Sequence, residues 1–339
     1  MTPESLPPAE YAMYVLGGKG RAAAVSTAAA WRLADRLLDG AKSIEQLAQE
    51  VGCAADALAA VLRICAGLGF FSSPQPGTFA VTERGRALTA DALGPMAAFV
   101  GAAEQWDPWA RLRDVQPGGE TAFALANGER LYEWMQRHPD AAARYDAAID
   151  SFTRHEAAAL CSAFDFASAS VVVDVGGGRG SLLAAVLAAN ERLRGVLFDL
   201  PHVIERARPR LAEAFGGRVQ FAGGDFFVGV PAGDVVMCKH VLHNWNDERA
   251  IAVLQRCAAA ASAGAEGRAG PGRVLILETI LSPDNRADMA AMLDLEMQVL
   301  LSGRVRRKPE LRRLVGDAGL IVERFEPLTA GTWLVVAAV

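Results

Sequence analysis

The sequence predicts an α/β protein in which a mainly helical domain with a winged-helix pattern precedes a doubly wound, mostly parallel sheet of seven strands. Two observations carry this prediction. Beyond residue 170 short β-branched runs alternate with helical stretches, as in parallel sheets covered by helices on both faces. Before residue 95 two helical patterns run into a hairpin pattern. The predicted strands lie near 171–175, 195–199, 218–222, 234–238, 273–279, 320–325 and 333–338.

The winged-helix pattern begins with clear helix signals. Ser43 followed by Gln46 is a capping box, which starts a helix over 44–51. A second helix is predicted over 54–68, and the hairpin pattern after it ends at Thr82. That second helix carries a single Arg and a single Asp, whereas a DNA-recognition helix needs several polar and basic side chains. Packing against protein, and hence dimerisation, is the favoured interpretation.

Composition narrows the class of protein. The chain has 339 residues, of which 52% are hydrophobic and 22% charged, so it is long and apolar enough for two cores. A net charge of −5 gives no general reason to expect nucleic-acid or anionic-membrane binding. The five cysteines lack C-x-x-C spacing and are interpreted as free thiols in a reducing compartment. With no leader pattern and no long apolar span, we expect a cytoplasmic protein that binds neither nucleic acid nor membrane.

A glycine-rich turn follows the first predicted strand of the sheet. The run Val-Val-Val-Asp-Val-Gly-Gly-Gly-Arg-Gly places Asp174 on the strand and Gly176 and Gly178 just after it. Glycines there bring backbone N–H groups close to a bound ligand. The spacing is D-x-G-x-G-x-G rather than the G-x-G-x-x-G of dinucleotide sites, and an acid on the strand suits a cationic or amine-bearing ligand.

A second acid ends the next predicted strand. Asp199 follows Gly-Val-Leu-Phe, and a carboxylate at that position accepts hydrogen bonds from ribose hydroxyls. Together the ends of the two strands predict a nucleoside-type cofactor.

Reactive groups follow the fourth and fifth predicted strands. The fourth runs into Lys239, His243 and Asn244, and the fifth ends at Glu278. If these strands are neighbours, His243 and Glu278 meet across the carboxyl edge of the sheet. A carboxylate that accepts one ring N–H leaves the other imidazole nitrogen able to take a proton. The pair is therefore predicted to be a base with an orienting acid.

These motifs together resemble one family. They are Asp-Val-Gly-Gly-Gly-Arg-Gly, Phe-Asp-Leu-Pro, Gly-Gly-Asp-Phe-Phe and His-Asn-Trp-Asn-Asp-Glu, with a winged-helix start and a terminal strand pair. In this combination the chain resembles the class I S-adenosylmethionine-dependent O-methyltransferases of the plant caffeate and isoflavone type and their bacterial relatives in antibiotic biosynthesis. The resemblance covers most of the chain and implies a Rossmann-like methyltransferase sheet.

The resemblance also implies roles. It implies a homodimer that pairs through its N-terminal domain and binds S-adenosyl-L-methionine in its C-terminal domain, with His243 as general base and Glu278 as its orienting partner. The implied cofactor-binding residues are Asp174, Gly176, Gly178, Asp199, Leu200, Asp225, Phe226 and Lys239. We assign Trp134, Met135, Phe152, Asn244 and Met292 to a pocket for a small aromatic substrate.

The implied reaction is methyl transfer to a hydroxyl of a small aromatic or polyketide-like secondary metabolite. Gly176 is expected at the methionine end of the cofactor and Asp199 at its ribose. Asp225 and Phe226 are expected at the adenine. A sulfonium methyl is a strong electrophile, so the protein needs only to align an acceptor and remove its proton. The sequence shows no cluster of His and carboxylates at metal-ligand spacing, and no metal is expected.

Three segments are predicted along the chain. Residues 1–95 form the winged-helix-like dimerisation domain, 96–170 a helical linker with the substrate-pocket helices, and 171–339 the S-adenosylmethionine-binding catalytic domain. Within the last segment, residues 262–272 are rich in Gly and Ala and are predicted to form a loop.

Two positions depart from the family's pattern. Asn244 stands where many relatives have Asp, and Val305 stands where the pattern has a second acid beside the histidine. Either Glu278 orients His243 alone, or this member has moved toward another acceptor or reaction. The basic residues near Val305 are predicted to form a solvated segment: Arg304, Arg306, Arg307 and Lys308.

Three alternatives stay open from the sequence. A family member could methylate nitrogen or carbon, or use the cofactor for a reaction other than methylation, and Val305 favours this alternative. A winged-helix regulator that senses a small molecule is disfavoured by the apolar second helix and by the His243 and Glu278 pair. A nicotinamide oxidoreductase is disfavoured because the dinucleotide glycine spacing is absent.

Overall fold

The computed structural model describes residues 5–267, 270–329 and 331–339 and falls into two compact units. The first comprises Met1–Asp107 with His138–Phe152, and the second Pro108–Arg137 with Thr153–Val339. The predicted boundaries at residues 95 and 170 divide the chain differently and stay a prediction.

The first unit is mainly helical, with a small antiparallel sheet. Its helices up to residue 100 are α1 Pro8–Leu16, α2 Gly18–Ala30, α3 Leu33–Arg36, α4 Ile44–Val51, α5 Ala55–Gly67 and α6 Gly94–Val100. Its strands are β1 Lys42–Ser43, β2 Phe71–Ser72 and β3 Thr78–Val81, with β3 between the other two. Both bonds of the predicted capping box form at the start of α4. The strand β1 was not predicted, since two residues are too few for a visible pattern.

The second unit is built on one twisted sheet. Its strands are β4 Val171–Val175, β5 Arg194–Asp199, β6 Val219–Gly223, β7 Val235–Lys239, β8 Arg273–Leu281, β9 Arg306–Arg307, β10 Ile321–Pro327 and β11 Thr332–Ala338. The order is β10-β11-β8-β7-β4-β5-β6, with β10 and β11 antiparallel and the pairs from β8 to β6 parallel. The seven predicted strands are confirmed, and the short β9 adds a parallel pairing to the end of β8.

Helices cover both faces of this sheet. The helices that follow α6 along the chain are α7 Ala103–Ala110, α8 Ala122–Asn127, α9 Leu131–Arg137, α10 Pro139–Ala163, α11 Ser181–Ala189, α12 Pro201–Phe215, α13 Asp247–Ala265, α14 Met289–Leu300 and α15 Lys308–Asp317. Of these, α7 and α10 each have residues in both units. Successive residues of a strand point to opposite faces, so Val172 packs with α11 and α12 while Val173 packs with α13. The prediction of a doubly wound sheet, with helices on both faces, is confirmed. The prediction of a loop from residue 262 is wrong in part, because α13 continues to Ala265, and residues 268–269 lie outside the described residues.

The parallel strands set the position of the site. The carboxyl ends of β4, β5, β7 and β8 lie at one edge, where the loops that follow them meet. None of the helices in the described part of the chain combines the length and apolar character that crossing a membrane requires.

Candidate active site

The glycine-rich turn after β4 is held open by its backbone geometry. Gly176 donates its N–H to the carbonyl of Phe198 on β5, at 2.8 Å. Gly178 has φ +56°, in the left-handed region that favours glycine, and a Cβ there would meet no heavy atom of the described residues within 4 Å. The backbone of the turn at Gly178 therefore borders open space, where a ligand can approach it closely.

Asp199 ties this turn to the end of β5. One carboxylate oxygen accepts the N–H of Gly178 at 2.9 Å, and the other accepts the N–H of Leu200 at 2.7 Å. The acid is thereby fixed at the edge of the sheet.

The loop after β6 brings a further acid and an aromatic ring to the same unit. Asp225 is exposed and accepts the N–H of Phe227 at 2.8 Å. Phe226 is half-buried, with ring centroids 4.9 Å from Phe227 and 6.3 Å from Trp245 in edge-to-face contacts. This loop therefore carries a cluster of aromatic rings against which a planar ligand group could pack.

Asp174 is the predicted cofactor residue with the least contact to solvent. Its exposure is 1%, it adjoins the backbone of Gly177, and its Oδ2 atom has no hydrogen-bond partner in the described chain. Burial raises the pKa of Asp174 to about 7, although nearby Lys239 opposes the rise. An orphaned acceptor under a glycine turn fits a ligand with a cationic group, because such a group would reduce the cost of the buried charge.

His243 and Glu278 meet as predicted. His243 lies in the 3₁₀ turn Leu242–Asn244 after β7, and its Nδ1 is 2.8 Å from Oε2 of Glu278 on β8. The other oxygen, Oε1, accepts the N–H of Leu242 at 2.8 Å and that of His243 at 3.3 Å. Burial opposes ionisation of Glu278, but His243 and His240 outweigh it and hold the pKa of that carboxyl well below its usual range. The carboxylate thus fixes both the turn and the imidazole, which leaves Nε2 as the nitrogen for proton transfer.

Arg306 also holds this turn, and the prediction that it belongs to a solvated segment is wrong. Its exposure is 4%. The guanidinium donates to the carbonyls of Leu242 at 2.9 Å and Trp245 at 2.8 Å, and to Asp247 at 2.9 Å. Sequence reasoning took the basic run as solvated, but a planar fork of donors is suited to clamp two carbonyls and a carboxylate. The neighbouring Arg304, by contrast, is partly exposed and pairs with Glu310.

The segment with Val305 lies directly against the turn. Arg304 donates its N–H to the carbonyl of His243 at 2.8 Å, and a Cβ at Gly303 would overlap that same carbonyl oxygen. Val305 is buried, and its N–H donates to Asp294 Oδ1 at 2.8 Å. Where the family pattern has an acid, this site therefore has an apolar side chain, and Glu278 supplies the carboxylate contact of His243.

Sequence reasoning missed the surroundings of His240. This histidine adopts φ +52°, its Nε2 is 3.3 Å from Glu156 of α10, and its Nδ1 is 3.9 Å from Glu278. His240, His243 and Glu278 thus form a cluster of possible metal ligands, with ligand atoms within 4.8 Å of one another. The spacing of the sequence does not show this cluster, because Glu278 joins the histidines through strand pairing; the expectation that no metal takes part stays a prediction. Glu156 gave no signal, since it lies within a helix far away in the chain.

The predicted substrate residues are spread over several elements. Trp134 of α9 makes an edge-to-face contact with Phe123 of α8 at 5.7 Å, and Met135 is buried. Asn244 donates its side-chain N–H to the carbonyl of His240 at 3.3 Å. Met292 of α14 is exposed, and Phe152 belongs to the first unit. Their shared role as a pocket stays a prediction.

Comparison with known proteins identifies two matching domain families. The sequence matches the O-methyltransferase domain over residues 109–321 and the O-methyltransferase dimerisation domain over residues 15–91. It is 37% identical over 310 residues to phenazine O-methyltransferase PhzM of Lysobacter antibioticus, covering 90% of this chain and 89% of that protein. It is 34% identical over 316 residues to aclacinomycin 10-hydroxylase RdmB of Streptomyces purpurascens, covering 88% and 80%.

A solved structure agrees in fold. The structure of CalO1, described as a methyltransferase in calicheamicin biosynthesis in its SAH-bound form, matches with a TM-score of 0.83 and 30% identity. The match covers 98% of this chain and 99% of that one.

The buried carboxyl of Asp174 gives a prediction about stability and pH. Its pKa of about 7 in the folded chain lies above the ordinary value of 3.8, so the folded state binds the proton more tightly. The resulting stability is present below about pH 4 and is lost as pH rises through about 7. Asp174→Asn cannot ionise. Its free energy of unfolding, compared with that of the wild type, should therefore rise by roughly 2–3 kcal/mol when the pH is raised from about 5 to about 8.

Thermal or urea unfolding of the ligand-free protein at the two pH values measures this difference. Asp317→Asn, at an exposed position of the same unit, is the control and should show no such trend. An equal effect of Asp174→Asn at both pH values contradicts a buried, protonated carboxyl.

Proposed function

The chain belongs to the O-methyltransferase family, and we propose that it transfers a methyl group from S-adenosylmethionine to a hydroxyl of a small aromatic or polyketide-like molecule, with His243 as general base. The observation that carries the proposal is the contact of His243 with Glu278 at the sheet edge that also bears the glycine turn. Membership of an enzyme family displaces the regulator alternative.

The residues at the sheet edge fit the cofactor. The open backbone at Gly178 and the orphaned oxygen of Asp174 suit the cationic methionine end, and Asp199 suits the ribose. We assign the half-buried ring of Phe226 to the adenine. When bound, S-adenosylmethionine supplies an electrophilic methyl group, which needs no metal for its transfer.

The catalytic pair then has one task. A phenol has an ordinary pKa of about 10 and is mostly protonated at neutral pH, so its oxygen becomes a good nucleophile only as the proton leaves. Glu278 engages Nδ1 of His243 and so presents Nε2 to the acceptor hydroxyl. Because the turn is clamped by Glu278 and Arg306, the imidazole needs little reorganisation when it takes the proton.

One observation favours a second candidate reaction. Val305 is apolar where the family pattern has an acid, and a relative of 34% identity is named as a hydroxylase. A chain that binds the cofactor but performs a reaction other than methylation therefore stays the alternative. Mass spectrometry of the product distinguishes methyl transfer from another reaction. Only methyl transfer increases the mass of the acceptor by one methylene unit and releases S-adenosylhomocysteine.

The cofactor assignment is tested at Asp199. Asp199→Ala removes the proposed ribose acceptor, and we expect S-adenosylhomocysteine affinity to fall by roughly tenfold to a hundredfold. Isothermal titration measures this affinity. Glu191→Ala, at an exposed acid that precedes β5, is the control and should leave the affinity unchanged. Unchanged affinity in a folded Asp199→Ala protein removes Asp199 from the cofactor site.

The base is tested by two variants. His243→Ala should bind S-adenosylhomocysteine normally yet lose roughly a hundredfold to ten-thousandfold in methylation rate. Glu278→Gln should lose less, because the amide still offers a hydrogen-bond partner to the imidazole. In the wild type the rate should fall at low pH, where a protonated base cannot accept, and His243→Ala should abolish that dependence.

Methylation rates measured across pH provide the test, and His155→Ala, at an exposed position of α10, is the control. Wild-type rates in both variants at every pH would mean that alignment alone carries the reaction.

The dimerisation domain predicts a stable homodimer. Among described residues, α1 buries none of its side chains, and it exposes Tyr11, Met13 and Leu16. An apolar helix surface of this kind suits an intersubunit contact. Sedimentation at micromolar concentration should show a dimer, and replacing Met13 and Leu16 by Glu should weaken it. Ile321→Glu, at an exposed apolar position of the second unit, is the control, and a monomeric wild type contradicts the prediction.

A further inference from the structure

Two imidazole rings and a carboxylate converge at the carboxyl edge of the sheet. Oε2 of Glu278 lies 2.8 Å from Nδ1 of His243 and 3.9 Å from Nδ1 of His240. Each of the three residues offers one ligand atom, and these atoms lie within 4.8 Å of one another. Both rings therefore turn the same nitrogen toward one carboxylate oxygen.

This set of donor atoms suits zinc. Two imidazole nitrogens and a carboxylate oxygen are ligands that zinc accepts in proteins, whereas magnesium and calcium prefer sites made of oxygen atoms. Zinc bonds to these atoms are about 2.0–2.2 Å long, so two ligand atoms of a tetrahedral site lie roughly 3.3–3.6 Å apart. The observed separations from Oε2 of Glu278, 2.8 Å and 3.9 Å, lie on either side of that distance. Small side-chain rotations are therefore enough to admit the ion.

A second carboxylate holds the far side of one ring. Glu156 of α10 has an exposure of 0%, and its Oε1 is 3.3 Å from Nε2 of His240. A histidine that binds a metal through one ring nitrogen commonly engages a carboxylate through the other, which fixes the direction of the ring. Glu156 is placed to do this for His240 and so directs its Nδ1 toward Glu278.

The backbone of His240 is fixed in an uncommon conformation. Its φ is +52°, which residues other than glycine rarely adopt and which surrounding contacts must enforce. The N–H of His240 donates to the carbonyl of Leu277 at 2.9 Å, and its carbonyl accepts the side-chain N–H of Asn244 at 3.3 Å. The fold thus holds this ring between two buried acids.

The charges beside the rings favour a cation. Glu156 and Glu278 are both buried, and the ammonium of Lys239 lies 2.9 Å from Oε2 of Glu156. Two carboxylates against this one ammonium leave a negative charge where little water can compensate it. A divalent cation bound beside Glu278 would offset that charge.

We propose that His240, His243 and Glu278 form a binding site for one zinc ion, and that the bound ion stops methyl transfer. The second part rests on the proposed role of His243. When a neutral imidazole binds a metal through Nδ1, its hydrogen moves to Nε2, so Nε2 has no lone pair left to accept a proton. The ion thus takes the place of the hydrogen between His243 and Glu278, and it has no part in the methylation itself.

The first test measures metal binding and needs no turnover. Calorimetric titration of the full chain with zinc chloride at about pH 8 should show one strong site per chain. Cobalt(II) in place of zinc reports the ligand atoms, because tetrahedral cobalt absorbs visible light and thiolate ligands add a separate near-ultraviolet band. We expect the visible band without the thiolate band, which excludes the five cysteines of the chain as the ligands.

Three variants assign the site. His240→Asn, chosen because asparagine tolerates the left-handed backbone conformation, should weaken zinc binding by more than about a hundredfold. Glu156→Gln alters only a partner of a ligand and should weaken it by roughly tenfold to a hundredfold. His155→Gln, one position before Glu156 and exposed to solvent, should leave it unchanged. Cooperative thermal unfolding shows that each variant is folded, and the cobalt spectrum of the wild type tests the site even where a variant is not.

The second test measures methylation against zinc concentration, with each protein compared with its own rate in EDTA. In the wild type a filled site should lower the rate by at least about a hundredfold, the lower end for the loss of one positioned base, and EDTA should restore it. In His240→Asn the inhibiting zinc concentration should rise by more than about a hundredfold.

The outcomes separate the metal site from the base. Absence of a site for one zinc ion per chain, a thiolate-type cobalt spectrum, or undiminished affinity in His240→Asn overturns the proposal. Zinc bound through the three residues with undiminished methylation retains the site but overturns both the inhibition and the role of His243 as a base.

Discussion

The burial of the Glu278 carboxylate is the constraint on which the site depends. An ion removed from water must find its partners within the protein, and Glu278 finds the N–H groups of Leu242 and His243 together with the ring of His243. Those partners exist because β7 and β8 are parallel neighbours, so the turn after one reaches the end of the other. The conformation of the turn and the orientation of the base therefore both depend on this buried carboxylate.

The turn is held from a second side by a segment remote in the chain. Arg306 clamps the carbonyls of Leu242 and Trp245, and the N–H of Arg304 engages the carbonyl of His243. Most of the backbone groups around the base are thus paired with fixed partners. A base mounted this way keeps its orientation before the substrate arrives, which is how a protein that supplies only alignment and proton removal contributes to rate.

Much of this arrangement could be predicted from the sequence, because local patterns report local geometry. The capping box at Ser43, the strands, and the meeting of His243 with Glu278 follow from periodicity and from the rule that parallel strands end at one edge. The contacts of Glu156 could not be predicted, since a helix residue carries no mark of the strand that it will approach. Arg306 was misassigned because a basic run is usually solvated, and only tertiary structure shows which of its members is enclosed.

The approach of the backbone at position 303 to His243 has an evolutionary consequence. Any side chain at Gly303 would displace the carbonyl of the residue that is proposed to do the chemistry, so this position is closed to variation. Two residues on, Val305 is held by its backbone N–H to Asp294, a bond that any residue except proline makes. This main-chain contact therefore does not depend on which side chain stands at position 305. The segment thus combines a position that accepts no side chain with one whose backbone contact allows a change of side-chain polarity.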